Sequence, residues 1–184
     1  LNDPFHWYNE HNMPYSLFTR SLNNPILTPN LNHSWESLKV YNPAAIYDNG
    51  KYHLFYRAVG NGADWHSVIG HATSLDGEHF TCALEPLLDR LFAYENRGLE
   101  DPRIIKLDNS YILTYTAYDG IVPRACIATS NNLQKWKRHG FIYDQFPFFK
   151  LGGFRIKWEN KTPTKHYSPT GIYDRTKSGA IFPT

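Results

Sequence analysis

The chain has 184 residues, 41% hydrophobic and 16% aromatic, which is enough to bury a core and too apolar for a disordered segment. Its 19 Lys and Arg against 17 Asp and Glu leave a formal charge of +2 with no run of one sign, so neither a nucleic-acid stripe nor a polybasic membrane patch is expected. No apolar stretch approaches the roughly 20 residues of a membrane helix, so no membrane partner is expected.

Residues 1–37 form an N-terminal segment whose opening, LNDPFHWYNEH, has neither the basic start nor the apolar stretch of a secretory signal. Cys82 and Cys126 stand far apart and fit no CxxC or Cys/His ligand spacing, and the nine His are scattered. A reducing, cytoplasmic setting is expected, with no metal and no cofactor.

From residue 38 onward, short β-branched and aromatic runs recur between turn signals, while helical periodicity is nearly absent. The chain therefore reads as all-β. NPAAIYDNGKYHLFYRA aligns without gaps on DPRIIKLDNSYILTYTA at an offset of 59, and HATS then aligns on IATS at 56. Each copy reads strand, tight turn, strand, loop, strand, polar turn and aromatic, the pattern of a four-stranded β-propeller blade. The expected division is a first blade at 38–96, a second at 97–140, a long insertion at 141–176 and the start of a third blade at 177–184. There KSGAIFPT matches NPAAIYDN, with Lys177 over Asn42. A closed propeller needs about four to eight blades, so about two and a half imply a missing portion or closure by another chain.

The repeat register locates a site. Reflection about the Asn49-Gly50 turn places Asn42 opposite Arg57, and reflection about Asp108-Asn109 places Asp101 opposite Thr116. Innermost strands of a propeller line its axis, so Asn42, Asp101 and Lys177 should converge at one rim, with Arg57 beside them. Strand residues alternate faces, so only one of Glu100 and Asp101 should point inward; Asp101 is assigned to the pocket and Glu100 to orienting a neighbour. Trp35, Trp65 and Tyr118 are aromatics that can stack on a sugar or pack between blades.

NPILTP (24–29), YNPAAIYDNGKYHLFYRA (41–58), GLEDPRI (98–104), YILTYTAYDG (111–120), IATSNNLQKWKRHG (127–140) and KSGAIFP (177–183) together resemble glycoside hydrolase family 130. The resemblance implies a five-bladed propeller, truncated here, and an inverting phosphorylase that cleaves β-mannosides with inorganic phosphate to give mannose 1-phosphate, or a β-mannoside hydrolase. It implies that Asp101 is the proton donor, relaying its proton through the mannosyl 3-hydroxyl. Lys177 matches a phosphate-contacting position, Arg57 and Arg103 resemble ligand-site arginines, and Asn42 should bind sugar hydroxyls; Arg138 is a weaker phosphate candidate.

Phosphate, an anion, can attack the anomeric carbon without the general base that an inverting hydrolase needs. The rival readings are a furanosidase-like five-bladed glycosidase, which should show three inner-strand carboxylates where this chain has Asn, Asp and Lys, and a non-catalytic sugar-binding propeller. An unclosed propeller would be inactive alone and would expose a sheet edge. The long insertion is expected to shape an acceptor site or a homo-oligomer contact.

Overall fold

A computed structural model of the chain describes residues 19–62 and 64–142, and beyond them the backbone of four short strands. Two four-stranded antiparallel meanders follow one another. The first comprises β1 (Lys39–Asp48), β2 (Lys51–Val59), β3 (Ser67–Ser74) and β4 (Thr81–Cys82); the second comprises β5 (Gly98–Leu107), β6 (Ser110–Tyr118), β7 (Pro123–Ser130) and β8 (Lys137–Phe141). A single 3₁₀ turn, Ala93–Glu95, precedes β5. In the 141–176 segment, β9 (Phe148–Leu151) pairs with β10 (Phe154–Lys157), and β11 (His166–Ser168) with β12 (Gly171–Tyr173). The third copy of the repeat, 177–184, lies outside the described residues.

Local chemistry explains the shared shape of the meanders. Asn49 and Gly50 both take positive φ (48° and 77°), the conformation that matches a two-residue hairpin turn to the twist of its strands; Asp108 takes φ 50° at the equivalent turn. After β3, the Ser74 hydroxyl accepts the amides of Asp76 and Gly77, while Asp76 Oδ1 accepts those of Glu78 and His79. After β7 the pattern is reproduced: Ser130 accepts from Asn132 and Leu133, and Asn132 Oδ1 from Gln134 and Lys135. Leu133 takes the left-handed place that Gly77 holds in the first copy, and its buried side chain offsets the strain.

The core follows the period-2 alternation of the strands. Leu54, Tyr56 and Ala58 of β2 turn to one face, where Leu27 and Trp35 of the N-terminal segment cover them. Phe55 turns to the other face and packs into a central layer with Leu99, Leu113, Tyr115 and Ala117 of the second meander. Leu113, Tyr115 and Ala117 are the repeat partners of Leu54, Tyr56 and Ala58, so like faces point the same way. Each fully buried leucine or phenylalanine among them contributes about 1.5–3 kcal/mol.

β3 and β5 meet in one parallel bridge, Ser67↔Gly98. Gly98 has φ 124°, and a Cβ there would lie 2.4 Å from Ser67 N and O, so only glycine permits the approach. β1 and β5 lie side by side, tied at one end by Asn42 and Asp101 and at the other by an ion pair between Lys106 and Asp48. Tyr111 also donates its hydroxyl to Asp48 Oδ2 at 2.5 Å.

Candidate active site

Two facing β-bulges build the site. In β1 the register slips between Tyr41 and Ala44, and in β5 between Glu100 and Arg103. Asn42-Pro43 stand against Tyr56 alone and Asp101-Pro102 against Tyr115 alone, one extra residue in each bulge. Proline cannot donate to a sheet ladder and is confined to edges and bulges. Asn42 and Asp101 adopt φ of 50° and 51°. Asn and Asp tolerate this region better than other residues, but a following proline pushes its predecessor toward extended backbone, so both positions carry strain.

The bulges correct two expectations. Arg57 pairs in register with Tyr41 rather than Asn42, and Thr116 with Glu100 rather than Asp101, because the inserted residue shifts each ladder by one. They also break the alternation that was expected to separate Glu100 from Asp101. Both acids are buried and both meet Arg57, which donates from one terminal nitrogen to Glu100 Oε1 at 2.7 Å and brings the other within 3.9 Å of Asp101 Oδ1. The Arg57 guanidinium lies over the Tyr41 ring, 5.0 Å from its centroid, and its Nε is buried with no hydrogen-bond partner among the described residues.

Asn42 Nδ2 donates to Asp101 Oδ1 at 2.6 Å. Asp101 is 9% exposed, whereas Asn42 opens to solvent, so the acid sits beneath an amide at the rim. Thr116 is fully buried behind them. Arg103, next along β5, is exposed and donates to the Pro102 carbonyl at 2.7 Å. Lys177 lies outside the described residues.

Arg138 belongs to a different cluster. It donates to Glu95 Oε2 at 2.7 Å and to the Asp89 carbonyl at 2.5 Å, on a strand three places out from β5, roughly 14 Å by ordinary strand spacing. Glu95 is fully buried and also accepts the Tyr115 hydroxyl at 2.9 Å and the amides of Leu91 and Phe92. In the first meander Glu36, equally buried, accepts the Tyr56 hydroxyl at 2.6 Å and faces His33 Nδ1 at 2.6 Å. Burial pushes both tyrosine hydroxyls far above their ordinary range. Sequence reasoning missed this pair, although the 59-residue offset carries Glu36 onto Glu95 and Tyr56 onto Tyr115.

Of the three aromatics considered for sugar stacking, Trp35 packs between His33 and Tyr56 and donates to the Leu84 carbonyl. Tyr118 donates to the Gly120 carbonyl at 2.9 Å. Trp65 is 62% exposed at φ 50°, beside Asp64, whose carboxyl His66 and Arg90 hold down to about 2.

A buried acid held at a strained bulge, with an amide and a guanidinium against it, is a polar cluster of the kind that meets a polar ligand. A family model described as β-1,4-mannooligosaccharide phosphorylase matches residues 18–178. The chain belongs to glycoside hydrolase family 130. It is 41% identical over 129 residues to a 1,2-β-oligomannan phosphorylase of Thermoanaerobacter sp. (strain X514), covering 66% of this chain and 44% of that protein. It is 39% identical over 141 residues to a β-1,2-mannobiose phosphorylase of the same strain, covering 69% and 47%. The fold is similar to a solved structure described under the family-130 mannoside phosphorylases and the family's glycoside hydrolases that target β-1,2-mannosidic linkages in Candida mannan. That similarity has a TM-score of 0.62 and 29% identity, covering 77% of this chain and 50% of the other. The chain thus spans less than half the length of these two phosphorylases.

Proposed function

We propose that this family-130 chain carries the acid half of a glycoside phosphorylase site, which cleaves a β-mannosidic bond with inorganic phosphate and gives mannose 1-phosphate with inversion. The two meanders are then the first two blades of a five-bladed propeller. The observation that carries the reading is the buried Asp101, hydrogen-bonded by Asn42 and facing Arg57 where β1 and β5 run together. Asp101 gives its proton to the mannosyl 3-hydroxyl, which passes its own to the leaving glycosidic oxygen as the bond to the anomeric carbon breaks. A phosphate oxygen bonds to that carbon from the opposite face, and Asp101 is left as a carboxylate facing Arg57.

Arg57 offsets the charge of two neighbouring acids and holds Glu100 in place. Exposed Arg103 and, outside the described residues, Lys177 are the cations offered to phosphate. Arg138 is the weaker candidate, because its guanidinium is committed to Glu95 and the Asp89 carbonyl. The second reading, a β-mannoside hydrolase, is favoured by the hydrolases named with the similar solved structure.

Incubating the intact protein with β-1,2- and β-1,4-linked manno-oligosaccharides, with and without phosphate, tests the proposal. Mannose 1-phosphate formed only with phosphate supports it; free mannose released without phosphate supports the hydrolase. Binding without turnover supports a sugar-binding module.

A further inference from the structure

We infer that Trp65 is a stacking platform for a sugar unit beyond the two joined at the scissile bond, so that the site favours longer β-mannosides over the disaccharide. This rests on the reading of Asp101 as the acid of a β-mannoside site and goes beyond it, since it adds a subsite and names the residue that builds it.

The two meanders differ in the loop after their second strand. Between β2 and β3 it has seven residues, 60–66, whereas its counterpart between β6 and β7 has four, 119–122. Trp65 belongs to the longer loop. Register sets Val59 against Lys39 and Ser67, and Ser67 bridges to Gly98, so the ends of β1, β2, β3 and β5 nearest this loop lie level with one another. Asp101 is three residues into β5, about 10 Å from Gly98, and is therefore at the same end of the sheet. A saccharide bonded at the acid continues toward solvent on this side, and the ring of Trp65 stands along that path, past the first pair of sugars.

The ring is held out by its neighbours. Asp64 receives the guanidinium of Arg90 and lies 2.8 Å from His66 Nδ1, while His66 Nε2 lies 3.2 Å from Asp89 Oδ1. Arg97, the residue before β5, donates to the Asp64 carbonyl at 3.1 Å and runs its stem past Gly120, where a Cβ would meet Arg97 Cγ at 2.9 Å. The Trp65 amide donates to the Gly62 carbonyl at 3.2 Å. These contacts fix the chain on both sides of a tryptophan that is 62% exposed at φ 50°. A bulky residue in the left-handed region is an outlier, and such strain persists where the surroundings over-determine it, characteristically at ligand sites. An exposed indole on a fixed loop forgoes the stability of burial and presents a flat, preorganised apolar face to a sugar ring.

Calorimetric titration and kinetics of the intact protein with mannobiose and mannotetraose, in the β-1,2 and β-1,4 series, test the inference. The unaltered protein should prefer the tetrasaccharide in affinity and in kcat/KM, and Trp65→Ala should shrink that preference by about threefold to tenfold. Trp65→Tyr, which keeps a flat ring, should retain most of it. Trp65→Gly removes the ring and relieves the backbone, so its melting temperature should change little. No preference in the unaltered protein, or equal losses on both saccharides in Trp65→Ala, would overturn the inference. So would a clearly lower melting temperature in Trp65→Gly, which would make Trp65 a packing residue against another part of the protein. The calorimetric ratio needs no turnover, so absence of mannose 1-phosphate from the unaltered protein would count against the proposed function and leave Trp65 to be decided by binding.

Discussion

Glu36 and Glu95 perform the same task in successive meanders: each is fully buried and accepts the hydroxyl of the tyrosine 20 positions downstream, Tyr56 or Tyr115. Their partners differ, since Glu36 faces His33 whereas Glu95 faces Arg138. A permanent cation makes the second cluster the more demanding one. Glu95→Ala leaves the guanidinium of Arg138, a largely buried side chain, without its carboxylate, and should cost about 3–5 kcal/mol. Glu36→Ala should cost less, because an imidazole, unlike a guanidinium, is not a permanent cation. Urea unfolding followed by circular dichroism at pH 7 ranks the two; equal losses would refute the distinction.

Acid should weaken the fold through His71. Its ring stacks on Phe55 and on His53, whose Nδ1 lies 3.1 Å from His71 Nε2. Burial first, and the nearby His53 second, depress His71 to about 4. The unfolded chain, at an ordinary value of about 6.5, binds protons that the folded chain refuses. Stability is therefore full above about pH 6.5 and declines as the pH falls toward 4, by at most about 3 kcal/mol. His71→Phe should flatten urea midpoints measured across that window; a drop of unchanged size would assign it elsewhere.

Gly98→Ala should loosen the junction between the meanders. The new Cβ would meet the Ser67 backbone at 2.4 Å, and φ 124° is hostile to alanine. A loss of about 3 kcal/mol is expected from overpacking and strain together. Hydrogen exchange at the Ser67 amide, bonded to the Arg97 carbonyl at 3.4 Å, reports the opening directly. Exchange and melting temperature both unaltered would contradict this account of the bridge.

Asp101→Asn should abolish turnover, by a factor of at least about 10³, while mannoside binding measured by calorimetry changes little. Loss of binding in parallel with activity would make Asp101 a ligand-holding group instead of an acid.

Much of this was legible from the sequence. The Asn49-Gly50 turn, the 59-residue offset and the apolar alternation identify the strands and make Asn42 the counterpart of Asp101. The slip in register was not, because reflection about a turn assumes an unbroken ladder. The signal was nonetheless present, since Asn-Pro and Asp-Pro recur at one repeat position inside strands that otherwise exclude proline. That slip is what lets Glu100 and Asp101 share Arg57. Glu36 and Glu95 were missed for another reason: a lone Glu reads as surface, and only the folded chain shows a tyrosine hydroxyl and a basic side chain closing over each.

The twin left-handed kinks also bear on how such a site can diversify. Backbone shape at 42 and 101 is imposed by the extra residue in the ladder, against the preference of the proline that follows, so the mould is indifferent to whether an amide or an acid is cast in it. Each of the two described meanders thus offers one socket of known position, and a single codon change there swaps chemistry without redrawing the scaffold.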